Sequence, residues 1–105
     1  MPTVAEIIDQ MKAKFNPDAA AGLDVVFQFD IEDGETYNLT VKDGTCEIAN
    51  GAHDAPSVTL IMSSDTLAGI MSGETDGMQA FMGGKLRAEG NIMLATKLAD
   101  LFPVN

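Results

Sequence analysis

The stretch "LDVVFQFDIEDGETYNLTVKDGTCEIAN", residues 23–50, is an alternating pattern interrupted twice by Asp-Gly. In Leu23–Ile31 the odd positions Leu23, Val25, Phe27, Phe29 and Ile31 are apolar, and Asp24, Gln28 and Asp30 alternate with them. A period of two marks a strand with one face in a core and the other wet. Val26 breaks the alternation, so the second face is expected to be partly covered. Asp33-Gly34 and Asp43-Gly44 read as two-residue hairpin turns of the kind that needs positive φ. Glu35–Lys42 alternates through Tyr37, Leu39 and Val41, and Thr45–Asn50 brings Cys46 and Ile48 inward. The reading is a meander of three antiparallel strands.

Upstream, Thr3–Phe15 has helical spacing, with Val4, Ile7, Ile8, Met11 and Phe15 on one face and a Thr3/Glu6 capping box at its start. Asn16, Pro17 and Gly22 then bracket a short turn of helix. Downstream, "GAHDAP" is a loop and Val58–Met62 a mostly apolar, central fourth strand. Ser63 or Ser64 starts a helix carrying Leu67, Ile70 and Met71, broken between Gly73 and Gly77. A short helix with Met78, Phe81 and Met82 follows, then a fifth strand over Lys85–Glu89. Asn91 caps a final helix whose apolar face is Leu94, Ala95, Leu98, Leu101 and Phe102. Helices gathered at the start and in the second half of a strand meander predict an α+β fold, a mostly antiparallel five-stranded sheet with helices over one face.

The 105 residues suit one domain, residues 1–105, and the 46% hydrophobic content is that of a globular chain. A net charge of −10 excludes nucleic acid as a partner and argues against strong binding to an anionic membrane. No apolar run approaches the roughly 20 residues needed to span a bilayer. "MPTVAEIIDQ" lacks the regions of a signal peptide, so a cytoplasmic location is expected. The one cysteine, Cys46, allows no internal disulfide and reads as a small buried hydrophobe.

Candidates for chemistry are few. His53 is the only histidine and sits in a Gly/Ala/Asp/Pro loop, which favours solvent exposure. Zinc needs three or four ligands at motif spacing, and no such set exists. "GGK" at Gly83–Lys85 lacks the spacing and the Ser/Thr of a phosphate loop. No catalytic residue, metal or cofactor is expected. Seven methionines stand out, five of them (Met62, Met71, Met78, Met82 and Met93) on expected inward or helix-face positions. Methionine suits both ordinary cores and adaptable apolar sites.

The order "VTLIMSSDTLAGIMSG", "DGMQAFMGGKLRAEGN", "IMLATKLADLF" closely resembles the sterol carrier protein type 2 (sterol-transfer) family. The matching residues are Ala80 to Leu86, Gly90-Asn91 and Leu94-Ala95-Thr96-Lys97-Leu98. The resemblance implies strand order 3-2-1-4-5 and an apolar tunnel between sheet and helices. That tunnel would hold fatty acids, acyl-CoA, sterols or other lipids without chemistry. The helix and strand faces that would wall it are those of Ile8, Met11, Phe15, Leu60, Met62, Leu67, Ile70, Met71, Met78, Phe81, Met82, Leu94 and Leu98, with Gly73, Gly77, Gly83 and Gly84 letting the helices shift. The chain ends in Pro103-Val104-Asn105, unlike the peroxisomal tail of some relatives. The expected function is non-catalytic binding and transfer of a lipid or other hydrophobic small molecule. The alternatives are an accessory or interaction domain for a lipid enzyme on another chain, or a small hydrolase or isomerase with a hydrophobic substrate.

Overall fold

The computed structural model describes residues 3–103. The reading of the chain ends rests in part on Met1, Pro2, Val104 and Asn105, which lie outside the described residues. The meander forms as its alternation requires: β1 (Asp24–Ile31), β2 (Thr36–Lys42) and β3 (Thr45–Asn50) pair antiparallel, with Phe27 opposite Leu39 and Leu39 opposite Ile48. β4 (Val58–Met62) runs parallel along the free edge of β1, with Phe29 opposite Leu60. β5 (Leu86–Gly90) closes the sheet antiparallel to β4. The order is β3-β2-β1-β4-β5, so β4 is an interior strand, with β1 at the centre, and the sheet is mostly antiparallel.

The two Asp-Gly pairs behave differently. Asp43 (φ 54°) and Gly44 (φ 74°) are both left-handed, as a two-residue hairpin turn demands. Asp33-Gly34 is not such a turn, since neither residue has positive φ. It lies in a longer loop between β1 and β2, where the Gly34 N–H donates to the Ile31 carbonyl at 3.1 Å. The Asp33 side chain is engaged elsewhere: it accepts from the Ser64 N–H (2.7 Å) and the Ser64 hydroxyl (2.6 Å).

Because β3 is an edge strand and β4 lies beyond β1, the connection between them must cross two strands. The strap 51–57 does so on the face carrying Gln28 and Asn38, opposite Phe27 and Leu39. The Asn38 amide donates to the Gly51 carbonyl at 2.9 Å, and the His53 N–H donates to Gln28 Oε1 at 2.9 Å. The strap covers part of the second sheet face, which leaves Val26 half-buried, and His53 is exposed on it.

The helices occupy the other face. α1 (Val4–Ala13) has its capping box in place, Thr3 Oγ1 accepting from the Glu6 N–H (3.1 Å) and Glu6 Oε1 from the Thr3 N–H (2.9 Å). It buries Ile7, Ile8 and Met11 and packs on α2 (Ser64–Ser72) and β3. Asn16 caps a 3₁₀ turn at Pro17–Ala20. α2 starts on the Ser63 side chain and ends at Gly73 with φ 84°, a left-handed cap. Full burial of side chains such as Phe27, Ile8, Leu39, Leu60 and Leu101 contributes about 1.5–3 kcal/mol each.

Two expectations about the second half need correction. α3 (Gly77–Met82) buries Ala80, and leaves Met78, Phe81 and Met82 at 54%, 42% and 79% exposure. α3 lies beside β5, and the Ala80 carbonyl accepts from the Lys85 N–H at 2.9 Å. Its larger side chains project outward. The expected single final helix is instead two short ones, α4 (Ile92–Ala95) and α5 (Leu98–Leu101), and Asn91 makes no side-chain cap bond. The Thr96 hydroxyl donates to the Met93 carbonyl at 2.7 Å, the back-bonding by which a β-branched residue competes with a continuing helix. Leu94, Leu101 and Phe102 still face the core, while Met93 is 73% exposed.

Candidate functional site

In place of the expected tunnel, the space between sheet and helices is an apolar cavity of about 390 Å³, partly open to solvent. The sheet supplies its floor: Phe29 and Leu60 are paired neighbours on β1 and β4, and Met62 and Leu86 on β4 and β5. α1 contributes Met11, and α2 contributes Leu67, Ile70 and Met71. The C-terminal segment contributes Ala95, Leu98, Ala99 and Phe102. The mouth is made by the α2–α3 turn (Gly73, Thr75, Asp76 and Gly77), the outward side of α3 (Met78 and Phe81) and Thr96.

Local contacts fix these walls. Asp33 ties the start of α2 to the β1–β2 loop, and the Ser64 hydroxyl, then its N–H, hold the Asp33 carboxyl below its usual range. At the far end of α2 the Thr75 N–H donates to the Gly69 carbonyl (3.0 Å), folding the mouth segment back on the helix. A methyl group at Gly69 would overlap Thr75 Oγ1. Asp76 Oδ1 accepts from the Met78 N–H at 3.1 Å and so starts α3. Phe102 is held by Phe15, their ring centroids 5.6 Å apart, and by the bond from the Asn16 N–H to the Leu101 carbonyl, 2.8 Å.

Of the residues read from the sequence as walls, the structure brings together Met11, Leu60, Met62, Leu67, Ile70, Met71, Met78, Phe81 and Leu98. Four lie elsewhere. Ile8 and Leu94 are buried in the core, Phe15 backs Phe102 from behind, and Met82 points into solvent. Sequence reasoning missed Phe29 and Leu86, which the strand pairing places beside Leu60 and Met62. It also passed over Thr75 and Asp76, polar residues in a helix break that nothing in the pattern ties to an apolar site.

The cavity offers shape and apolarity, with Thr75, Asp76 and Thr96 as its polar groups. Cys46 is buried at β3 outside the lining, and burial pushes its thiol up. Burial likewise raises the Tyr37 phenol, with the nearby Glu35 charge adding to it. Among the described residues no group of three His, Cys, Asp or Glu side chains is placed to hold a metal. No helix among them is long and apolar enough to cross a membrane.

Residues 4–103 match the SCP-2 sterol transfer family. The chain is 35% identical over 101 residues to hydroxysteroid dehydrogenase-like protein 2 of Bos taurus, covering 93% of this chain and 24% of that protein. It thus spans about a quarter of that relative's length. The palmitated SCP2L2 of Aedes aegypti superposes with a TM-score of 0.77 at 24% identity, covering 92% of this chain and 91% of that one. The inverting sec-alkylsulfatase Pisa1 from Pseudomonas sp. superposes with a TM-score of 0.87 at 21% identity, covering 96% of this chain and 16% of the enzyme. The chain belongs to the SCP-2 sterol transfer family.

Proposed function

We propose that the chain binds and transfers a hydrophobic ligand, a fatty acid, sterol or related lipid, without catalysis, in the cytoplasm. The apolar cavity between sheet and helices is the observation on which this rests. Its volume of about 390 Å³ falls within the roughly 300–1,000 Å³ range of small-molecule sites. Each methylene moved from water into it contributes about 0.8 kcal/mol. Membership of the family and the palmitated Aedes aegypti relative support the same reading.

The test is a plug. Met71 lines the cavity and is half-buried. Met71→Trp is expected to weaken binding of a fluorescent fatty acid at least tenfold while leaving the urea midpoint near that of the parent. Lipid extraction and native mass spectrometry of the purified parent should recover a bound lipid. A plugged protein that binds as tightly as the parent overturns the reading.

The likeness to short portions of much longer proteins favours a second reading, an accessory domain serving a lipid enzyme on another chain. Under it, the chain retains a lipid enzyme on an affinity column, and plugging the cavity abolishes the gain in that enzyme's turnover.

A further inference from the structure

We propose that Asp76 selects the ligand's headgroup, disfavouring a carboxylate and admitting a neutral hydroxyl-bearing lipid; this rests on the lipid-binding reading above. An aliphatic ligand seated on the sheet floor leaves its polar end at the mouth, where the lining supplies Thr75, Asp76 and Thr96. None of the six basic residues of the chain lines the cavity. Arg87 pairs with Glu32 at 3.4 Å on the outer side of β5, and Lys97 borders a separate surface depression with Asp18 and Asp100.

The donors closest to the Asp76 carboxylate are partly spent. The Met78 N–H, which opens α3, is already taken by Asp76 Oδ1. The Thr96 hydroxyl proton is committed to the Met93 carbonyl. The side-chain atoms that remain at the mouth are mainly acceptors: Asp76 Oδ2, the lone pairs of Thr96 Oγ1, and the Thr75 hydroxyl, which can act either way. An alcohol can donate to such a set. A carboxylate has no proton to give and meets a like charge.

Two unit charges about 4 Å apart in water repel by about 1 kcal/mol, which is about fivefold in affinity. Matched ligands isolate that effect: dodecan-1-ol and dodecanoate, each displacing Nile red at low ionic strength. Asp76→Asn removes the charge and keeps a good helix cap, so α3 is retained. Dodecanoate is expected to bind Asp76→Asn about fivefold more tightly than the parent, with the gain shrinking in high salt, and dodecan-1-ol is expected to gain nothing. Glu74→Gln, one charge removed two positions away and outside the lining, should give a much smaller gain.

Equal gains for acid and alcohol, or no gain for the acid, overturn the headgroup assignment while leaving lipid binding intact. Failure of both ligands to displace the dye, with no lipid recovered from the purified protein, overturns the lipid-binding reading and this inference with it.

Discussion

Gly69 has room for a hydrogen and nothing more, because Thr75 folds back over it. In an open helix, alanine would be favoured over glycine by about 1 kcal/mol. Here the added methyl must displace Thr75, so Gly69→Ala is expected to cost about 1–3 kcal/mol, the usual range for overpacking. Gly69→Ala with Thr75→Ala should recover most of that loss, and urea melts of both singles and the double give the coupling. Asp33 makes a pH-dependent contribution. Its folded pKa lies below the ordinary 3.8, so its stabilising effect is present above that value and is lost as pH falls through the folded pKa. Glu6 acts in the same direction from 4.5, through the Thr3 cap. Asp33→Asn should therefore flatten the loss of stability below about pH 3.8, measured by thermal melts across the acid range. The bond from Asp33 to Ser64 was hidden in the sequence because its partners lie 31 positions apart. Asp43-Gly44, by contrast, was legible, since a two-residue turn depends only on its own φ values.

Elements were legible where they are long enough for a period to select a face. β1 and α1 bury the residues their spacing predicts. α3 has six residues, fewer than two turns, and its Met78, Phe81 and Met82 stripe could not say on which side the sheet would lie. The structure turns Ala80 inward as the buried residue of α3. Ala80→Leu is thus expected to destabilise the protein by about 1–3 kcal/mol, whereas Met82→Glu should stay within about 0.5 kcal/mol of the parent. Denaturant midpoints of the two variants distinguish this arrangement from one in which the methionines pack inward, which would reverse the order. The same geometry explains why the cavity was only partly read. Its floor follows from strand alternation, but its mouth is built from a helix break and the outward side of a short helix. Neither has a periodic signature.

For the molecule as a whole, the strand order followed from the family resemblance, while the path of the chain through it did not. β1 finds β2 through a short loop, but it meets β4 only after the strap has crossed the sheet, with the Val26 N–H donating to Ser57 Oγ 31 positions away. The sheet therefore consists of a local half, β1 to β3, and a distant half, β4 and β5, joined at the centre by the one parallel pair. Contacts of long sequence separation slow folding, because loop closure costs entropy before they form. Doubling the strap with glycine and serine after Asp54 should cost about 0.6 kcal/mol. If strap closure precedes the rate-limiting barrier, the whole effect appears as slower refolding in stopped-flow, with the unfolding rate unchanged. Since the strap lies on the sheet face away from the cavity, ligand affinity should survive the insertion. The strap that times assembly and the cavity proposed to hold a ligand thus lie on opposite sides of one sheet, so that a change in the first need not retune the second.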